Sequence, residues 1–252
     1  MTVARQEKIR FLLQKHGHLR VSELAERFGV SEMTIRRDLK QLASMGLVQR
    51  EHGKAVYPSN LQARNGIFLA RMDEAHQEKT AIGKTAAKLI KEGDSVILDS
   101  GTTTLAIALA LDTKCIVVTN SLPVADILRN KPEITIILTG GEVQRNTFSL
   151  MGPMTRENLA GFNADKLFLA ATGISVEKGL STTSMAESEV KQAMINSAKE
   201  VILVAHSKKI EQVYYHTFTK WDKIHKFITD SSADKQLLSK IEENGVEVII
   251  AN

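Results

Sequence analysis

The feature that most constrains the fold is a series of short apolar runs that alternate with helical patterns from Lys79 onward. Short buried strands that alternate with helices are typical of a parallel sheet with crossover helices. The sequence therefore predicts an α/β fold with a doubly wound sheet for this part of the chain. The predicted strands are 96–98, 116–118, 134–138, 167–170, 201–205, 227–228 and 246–250.

Small and polar residues follow the first five of these runs. Because ligands of open α/β sheets bind beyond the carboxyl ends of the strands, we expect these loops to line one crevice. Hydroxyls and backbone N–H groups ahead of a predicted helix over 105–111 suit phosphate, Lys209 adds positive charge, and Asp99 or Asn120 suits sugar hydroxyls. The alternative is ordinary turn chemistry. The predicted effector-binding residues are Asp99, Ser100, Gly101, Thr102, Thr103, Asn120, Gly140, Gly141, Gly173 and Lys209.

The first 57 residues follow a different pattern. Apolar spacing predicts a helix over 5–15 and a second helix that begins at Ser22. Ser31 is the predicted cap of a third helix over 31–44, and the alternating residues 47–57 predict a β-hairpin. Together these elements predict a winged helix-turn-helix. The apolar stripe of the third helix is Ile35, Leu39 and Leu42.

Hydrogen-bond donors lie opposite that apolar stripe, and the second helix of a helix-turn-helix enters the major groove of DNA. Residues 1–57 also carry 11 Lys and Arg against 6 Asp and Glu, whereas the remaining residues carry 22 against 23. This asymmetry favours operator DNA as a partner, and the alternative is a small helical bundle with a solvated basic face. The predicted DNA-binding residues are Ser31, Thr34, Arg36, Arg37, Lys40, Arg50 and Lys54.

Cysteine and histidine usage limits the chemistry. The single cysteine, Cys115, lies in an apolar run, which excludes an internal disulfide and predicts a buried, unreactive thiol. The seven histidines are scattered, and the only close pair, His16 and His18, has no cysteine or carboxylate at ligand spacing, so we expect no metal and no cofactor. No apolar run approaches the roughly 20 residues that span a bilayer, and no signal segment is present, so we expect a cytoplasmic protein without a membrane partner.

Two sets of motifs resemble the DeoR-type family of bacterial transcription regulators. The set similar to its DNA-binding signature is 30–39, 46–47 and 50–53, and the set similar to its effector domain is 98–103, 119–120, 139–141 and 179–182. The resemblance implies a domain with the fold of ribose-5-phosphate isomerases and coenzyme A transferases, a sugar-phosphate effector, and dimers or tetramers that usually repress sugar-utilisation operons.

Three positions depart from the pattern that this family commonly shows. His206 stands where aspartate is common, Lys208 stands where serine is common, and Lys54 replaces a second glycine in the wing. Lys209 matches the lysine of the family. The resemblance therefore implies the same kind of effector pocket, with a different charge pattern in this chain.

The sequence thus predicts a winged helix-turn-helix over 1–57, a linker over 58–78 and an effector domain over 79–252. We expect a sequence-specific repressor, a homodimer or homotetramer, whose DNA binding a phosphorylated sugar controls. The alternative is a sugar-phosphate isomerase or acyl-transfer enzyme that carries a DNA-binding head. Its acid and base candidates are Asp99, Glu187, Glu189, His206 and Lys209. Catalysis needs a base positioned at a reacting atom, which these motifs do not specify, so we expect no enzyme.

Overall fold

The computed structural model describes residues 5, 6, 8, 9, 12, 13, 16–44, 48–51, 53–57, 68, 71, 72 and 74–252. The chain divides into two compact units, Met1–Ile67 and Phe68–Asn252. Within the expected linker, residues 58–67, 69, 70 and 73 lie outside the described residues, as do residues 46, 47 and 52 of the DNA-binding signature.

The N-terminal unit is a helix-turn-helix with a small sheet. The described residues between 5 and 16 are helical. Then follow β1 (His18–Arg20), α1 (Val21–Phe28), α2 (Glu32–Ser44), β2 (Gln49–Glu51) and β3 (Lys54–Val56). The strands form an antiparallel sheet in the order β1-β3-β2. The predicted hairpin is confirmed as β2 and β3, and β1 is an additional strand that the sequence did not predict.

The apolar stripe of α2 is confirmed. Ile35, Leu39 and Leu42 are buried in one cluster with residues of the other helices and of the sheet. Asp38 lies on the buried side of α2 as well, and its carboxylate accepts a hydrogen bond from Arg5 at 2.6 Å. This contact ties α2 to the first helical segment.

The start of α1 corrects the sequence prediction. The helix begins at Val21 rather than Ser22, and the residue ahead of it is Arg20. The carboxylate of Glu23 accepts the backbone N–H of Arg20 at 2.9 Å. An acidic side chain in the first turn therefore satisfies this helix end, a role that Ser22 does not take.

The C-terminal unit contains a seven-stranded parallel sheet, and all seven predicted strands are confirmed. The sheet strands are β4 (Ser95–Leu98), β5 (Cys115–Thr119), β6 (Ile134–Leu138), β9 (Ala164–Leu169), β12 (Ala198–Val204), β14 (Lys226–Asp230) and β15 (Glu247–Ala251). Their order is β15-β14-β12-β9-β4-β5-β6. The chain thus builds outward from β4 to β6, then returns to β9 beside β4 and builds outward to β15.

Helices cover both faces of this sheet. They are α3 (His76–Ala87), α4 (Thr102–Ala110), α5 (Leu122–Leu128), α6 (Pro153–Ala160), α7 (Met185–Asn196) and α8 (Lys235–Glu242). Val96 and Leu98 pack in one apolar cluster with residues of α3, α4 and α5, whereas Ile97 packs in the other with residues of α6, α7 and α8. Alternate residues of β4 therefore face opposite layers, which confirms the doubly wound architecture.

Two antiparallel sheets were not predicted. One pairs β7 (Glu142–Gln144) with β8 (Ser149–Met151). The other has the order β10-β11-β13, formed by Gly173–Ser175, Gly179–Thr182 and His216–Thr219. The loop expected after β9 therefore ends at Thr172, because the next residue starts β10.

The helix expected over 105–111 begins earlier, at Thr102. The hydroxyl of Thr104 donates to the carbonyl of Asp99 at 2.5 Å and to that of Gly101 at 2.9 Å. These bonds hold the first helical turn against the end of β4. Thr102 and Thr103 consequently belong to the helix N-terminus rather than to the loop.

Two further residues pack inside this unit. Phe68, from the segment expected as a linker, is buried and meets Phe148 edge-to-face at 5.7 Å between ring centroids. Cys115 is buried as expected, and burial raises the pKa of its thiol to about 11. None of the helices that the structure describes is both long and apolar enough to cross a bilayer.

Candidate DNA-contact groove and cationic pocket

A groove of about 360 Å³ lies between α2 and the wing, within the N-terminal unit. Five of the predicted DNA-binding side chains line it together with Met33, which is 75% exposed. We call this surface the basic groove. The predicted residues that line it are Thr34, Arg36, Arg37, Lys40 and Arg50.

The two remaining predicted residues have local roles. The Ser31 hydroxyl accepts the backbone N–H of Thr34 at 3.3 Å, so the predicted helix cap is confirmed. Lys54 pairs with Glu51 at 2.8 Å across the wing, where the two residues are register partners. Arg36 is half exposed, and among the described residues its guanidinium pairs with Glu32 at 3.1 Å, an exposed pair of small energetic value. Breaking this pair costs little free energy, so the guanidinium of Arg36 is available to another anion.

In the C-terminal unit the strand order reverses between β4 and β9. At such a switch point the loops that follow the two strands diverge and leave a crevice. Asp99 follows β4, and its carboxylate accepts the backbone N–H of Ala170 beyond β9 at 2.9 Å. The loops on the two sides of the reversal are thus joined at the base of the crevice.

A buried ion pair stabilises this junction. The Lys191 ammonium lies 2.5 Å from a carboxylate oxygen of Asp99 and donates to the carbonyl of Ala170 at 2.9 Å. Both charged side chains are 1% exposed. Glu187 lies one turn earlier on α7, 3.4 Å from the same ammonium. Each charged group of this cluster has an opposite charge beside it, and both carboxylates also accept hydrogen bonds, from the Ala170 N–H and the Thr182 hydroxyl, which is the condition for burying them.

An open pocket of about 240 Å³ lies at the carboxyl ends of β4, β9 and β12. We call it the cationic pocket, because four cationic side chains line it and only one carboxylate does. Of the ten predicted effector-binding residues, Thr102 and Lys209 line it. The lining residues are Arg71, Glu74, Lys79, Thr102, Thr172, His206, Lys208, Lys209, Gln212 and Tyr214.

The other eight predicted residues do not line this pocket. Asp99 already accepts from Ala170, from Lys191 and, at 2.7 Å, from the backbone of Ser100. Asn120 is buried and donates to the carbonyl of Leu150 at 3.1 Å. Direct contact of Asp99 or Asn120 with a sugar stays a prediction, and the observed contacts show both holding loops in place.

Two predicted glycines have steric roles. Gly141 has φ +121°, and a Cβ there would lie 2.0 Å from the Thr155 hydroxyl. A Cβ on Gly173 would lie 2.3 Å from the carbonyl oxygen of Gln212. The absence of a side chain at Gly173 therefore allows the segment with Gln212 and Tyr214 to approach the pocket. Gly140 is fixed to α6, because its carbonyl accepts the Thr155 hydroxyl at 2.7 Å.

Lys209 lies in a short 3-10 turn, Ser207–Lys209, that follows β12. Asp230, at the end of β14, fixes this turn by accepting the backbone N–H of Ser207 at 2.6 Å and its hydroxyl at 2.9 Å. The Lys209 ammonium donates to the carbonyl of Ala171 at 2.6 Å. The turn thus holds a cation at the wall of the pocket.

Burial lowers the pKa of Lys209 to about 7, and the nearby charges of Arg71, Lys79 and Lys191 lower it in the same direction. The pKa of His206 falls to about 4 because of burial and the charges of Lys209 and Lys79. The ring of His206 is therefore neutral at neutral pH. Burial is the largest cause of both shifts, and the neighbouring positive charges, which a bound anion would offset, add to it.

The sequence reading missed Arg71 and Lys79, which lie ahead of β4 and not after a strand. The ammonium of Lys79 donates to the backbone carbonyl of Arg71 and, at 2.6 Å, to that of Glu74. The Thr102 hydroxyl also donates to the carbonyl of Arg71, at 3.3 Å. Arg71 lies in the charged segment 58–78 that the sequence predicts as a linker, and Lys79 is the first residue of the predicted effector domain, so the only available signal was the density of charges at this boundary.

No group of three or more metal-binding side chains comes together among the described residues. The chemistry of the C-terminal site is instead that of an anion receptor with hydroxyl and amide groups at its edge. Together with a basic groove on a winged helix-turn-helix, this defines a two-unit DNA-binding protein with an α/β ligand-binding part.

Comparisons with known proteins agree with this class. Residues 5–60 match the DeoR-like helix-turn-helix domain and residues 74–231 match the DeoR C terminal sensor domain. The chain is 33% identical to the HTH-type transcriptional repressor GlcR of Bacillus subtilis, covering 94% of this chain and 92% of that one. It is 34% identical to the lactose phosphotransferase system repressor of Streptococcus mutans, covering 95% and 97%. The chain belongs to the DeoR family of transcription regulators.

Two solved structures are similar over part of the chain. A probable sor operon regulator from Shigella flexneri has 14% identity and a TM-score of 0.42, covering 68% of this chain and 90% of that one. Ribose 5-phosphate isomerase A from Methanocaldococcus jannaschii has 15% identity and a TM-score of 0.41, covering 54% and 55%.

Proposed function

We propose that the chain is a sequence-specific repressor of a sugar-utilisation operon and that a phosphorylated sugar controls its binding to DNA. In this proposal residues 1–57 bind the operator, and residues 79–252 sense the sugar together with Arg71 and Glu74 from the expected linker 58–78. The observation that carries the proposal is the pairing of two basic sites in a DeoR-family chain, the basic groove and the cationic pocket.

The basic groove supports contact with DNA through α2. Its cationic side chains are exposed on one side of the helix, whereas Ile35 and Leu39 are buried on the other. A helix of this kind enters the major groove, where arginine recognises guanine and lysine contacts phosphate. We infer a homodimer or homotetramer, because two such helices read the repeated half-sites of an operator.

The cationic pocket supports a phosphorylated ligand. Arg71, Lys79, Lys208 and Lys209 supply positive charge, and Thr102, Thr172, Gln212 and Tyr214 supply hydroxyl and amide groups for a sugar. A ligand changes DNA binding only through its different affinities for the two arrangements of the protein. We propose that the sugar phosphate favours the arrangement that releases the operator.

We also infer that the pocket binds its ligand without converting it. Among the acid and base candidates, Asp99 and Glu187 are engaged with Lys191, and Glu189 pairs with Arg156 at 3.0 Å. Asp99 and Glu187 are thus engaged in a buried cluster, and Glu189 does not line the pocket. His206 and Lys209 do line it, so turnover has to be measured directly. Incubation of the purified protein with ribose 5-phosphate is expected to give no ketose, and turnover above that of Lys209→Met would contradict the inference.

The DNA-binding part is tested with a duplex selected from a random pool by the wild-type protein. The double variant Arg36→Ala/Arg37→Ala is expected to lose retention of this duplex in a gel shift, because an arginine in bidentate contact with a base is worth about 1–3 kcal/mol and an arginine in contact with phosphate adds affinity for any sequence. The matched control is Lys235→Ala/Lys240→Ala, which removes the same charge from exposed positions on α8. Equal retention by the two double variants would remove α2 as the recognition helix.

The sensing part is tested on the same duplex. A panel of sugar phosphates is expected to contain one compound that releases the duplex from the wild-type protein and fails to release it from Lys209→Met. Lys235→Met is the matched control, because it removes an exposed lysine of α8 that does not line the pocket. Release from Lys209→Met at the wild-type concentration would place the sensing site elsewhere.

A further inference from the structure

His206 is a buried polar residue whose ring makes no hydrogen bond within the part of the chain that the structure describes. Its side chain is 1% exposed and lines the cationic pocket, at the residue ahead of the Ser207–Lys209 turn. Neither ring nitrogen has a hydrogen-bond partner among the described residues. The large majority of buried side-chain polar atoms are paired, so an unpaired ring on the wall of a pocket indicates a partner that enters the pocket.

The chemistry of this ring defines the partner. A neutral imidazole offers one N–H donor and one acceptor nitrogen. Lys209 and Lys79 lie close enough to lower the pKa of His206, and Glu74 and Asp230 act in the opposite direction. Protonation is thus disfavoured, and the acceptor nitrogen needs a donor from the ligand. A phosphate dianion has no donor, whereas a sugar hydroxyl both donates and accepts.

We propose that His206 is the residue with which this pocket distinguishes a hydroxylated phosphate ester from phosphate alone. The cations of the pocket hold the phosphate, and the ring of His206 exchanges hydrogen bonds with a hydroxyl of the attached sugar. This inference rests on the proposed function, because it assigns a role within the same pocket. It adds that the ligand is the phosphate monoester of an uncharged polyol or sugar, with a hydroxyl near the ester.

The experiment compares affinities by isothermal titration calorimetry with the full chain. The probes are inorganic phosphate, glycerol 3-phosphate, ribose 5-phosphate, fructose 6-phosphate and glucose 6-phosphate. The measured quantity is the ratio of the affinity for the tightest ester to the affinity for inorganic phosphate. The variants are His206→Ala, His206→Asn, which keeps one donor and one acceptor, and the control His76→Ala, an exposed histidine at the start of α3.

We expect the wild-type ratio to exceed about tenfold, since one or two net hydrogen bonds supply about 1.4 kcal/mol, which equals that factor. His206→Ala is expected to reduce the ratio about tenfold and to leave the affinity for inorganic phosphate within about twofold. His206→Asn retains part of the ratio, and His76→Ala retains all of it. Thermal unfolding of each variant shows whether it is folded.

Three results would overturn the inference. If the wild-type protein binds inorganic phosphate as tightly as every ester, the pocket does not recognise a hydroxyl and His206 cannot have that role. An unchanged ratio in folded His206→Ala and His206→Asn assigns the recognition to other residues. If His206→Ala loses inorganic phosphate as well, the ring helps to shape the anion site instead. Absence of any phosphate binding in the wild type, by contrast, refutes the proposed function itself.

Discussion

The low pKa of Lys209 makes anion binding depend on pH in the neutral range. The ammonium attracts a dianion only when it is protonated, and its pKa in the ligand-free protein is about 7. Sulfate is the suitable probe, because it keeps both negative charges at every pH of interest and so contributes no titration of its own. Raising the pH through 7 is therefore expected to weaken sulfate binding.

The magnitude follows from the fraction of Lys209 that is protonated. With a pKa of about 7, this fraction is about 0.9 at pH 6 and about 0.1 at pH 8. If only the protonated form binds, affinity falls about tenfold over this interval, which corresponds to about 1.4 kcal/mol. His206, with a pKa of about 4, stays neutral throughout. Bound sulfate raises the pKa of Lys209, so binding takes up a proton above pH 7.

The assay is calorimetric titration of sulfate at constant ionic strength from pH 6 to pH 8. Two buffers of different ionisation enthalpy report the proton uptake directly. Lys209→Arg is the control, because a guanidinium stays charged throughout and should give a flat profile. Lys209→Met should bind weakly at every pH. A wild-type affinity that is equal at pH 6 and pH 8, with Lys209→Met still impaired, would refute the reasoning about the pKa.

Three further predictions concern the two sites. Asp99→Asn leaves the buried Lys191 ammonium without its nearest carboxylate, so the free energy of unfolding should fall by about 3 kcal/mol in urea titrations, and an unchanged midpoint contradicts this. Gly173→Ala places a Cβ 2.3 Å from the Gln212 carbonyl, so it should weaken sulfate binding as that segment shifts; wild-type affinity in the variant would argue against this. Lys40→Ala should reduce the slope of log affinity for DNA against log salt by about 0.9, measured by fluorescence anisotropy, and an equal slope excludes a phosphate contact.

The sheet could be predicted because its strands are local patterns. A central strand such as β4 is buried on both faces and is followed by small polar residues, so the run 96–98 carries its own signal. The antiparallel pairs lack that signal. The strand Gly173–Ser175 pairs with Gly179–Thr182 through main-chain contacts. In the sequence, Gly173 has the character of a loop residue, so no strand is predicted there.

The pocket was only partly predictable, for a related reason. Lys209 follows a strand, so the general rule for ligands in α/β sheets places it correctly at the crevice. Arg71 and Lys79 reach the same pocket from before the first sheet strand, through hydrogen bonds to backbone carbonyls. Asp99 is the reverse case, because its position is predictable and its engagement with Lys191 is not. The position of a residue in the sequence predicts whether it lies at the carboxyl end of the sheet. Its burial and its contacts determine whether the side chain remains available to a ligand.

These observations lead to one physical account of the sensor. Asp99 and Lys191 join the loops on both sides of the strand reversal with compensated charge, so that part of the crevice does not depend on a ligand. Lys209 and His206 lie on the loop that follows β12. The pKa of Lys209 is about 7, and neither ring nitrogen of His206 has a hydrogen-bond partner among the described residues. We therefore expect ligand binding to change the interactions of the loop after β12 more than those of the junction. Such a difference between fixed and ligand-dependent parts is what allows a small anion to favour one arrangement of the protein over another.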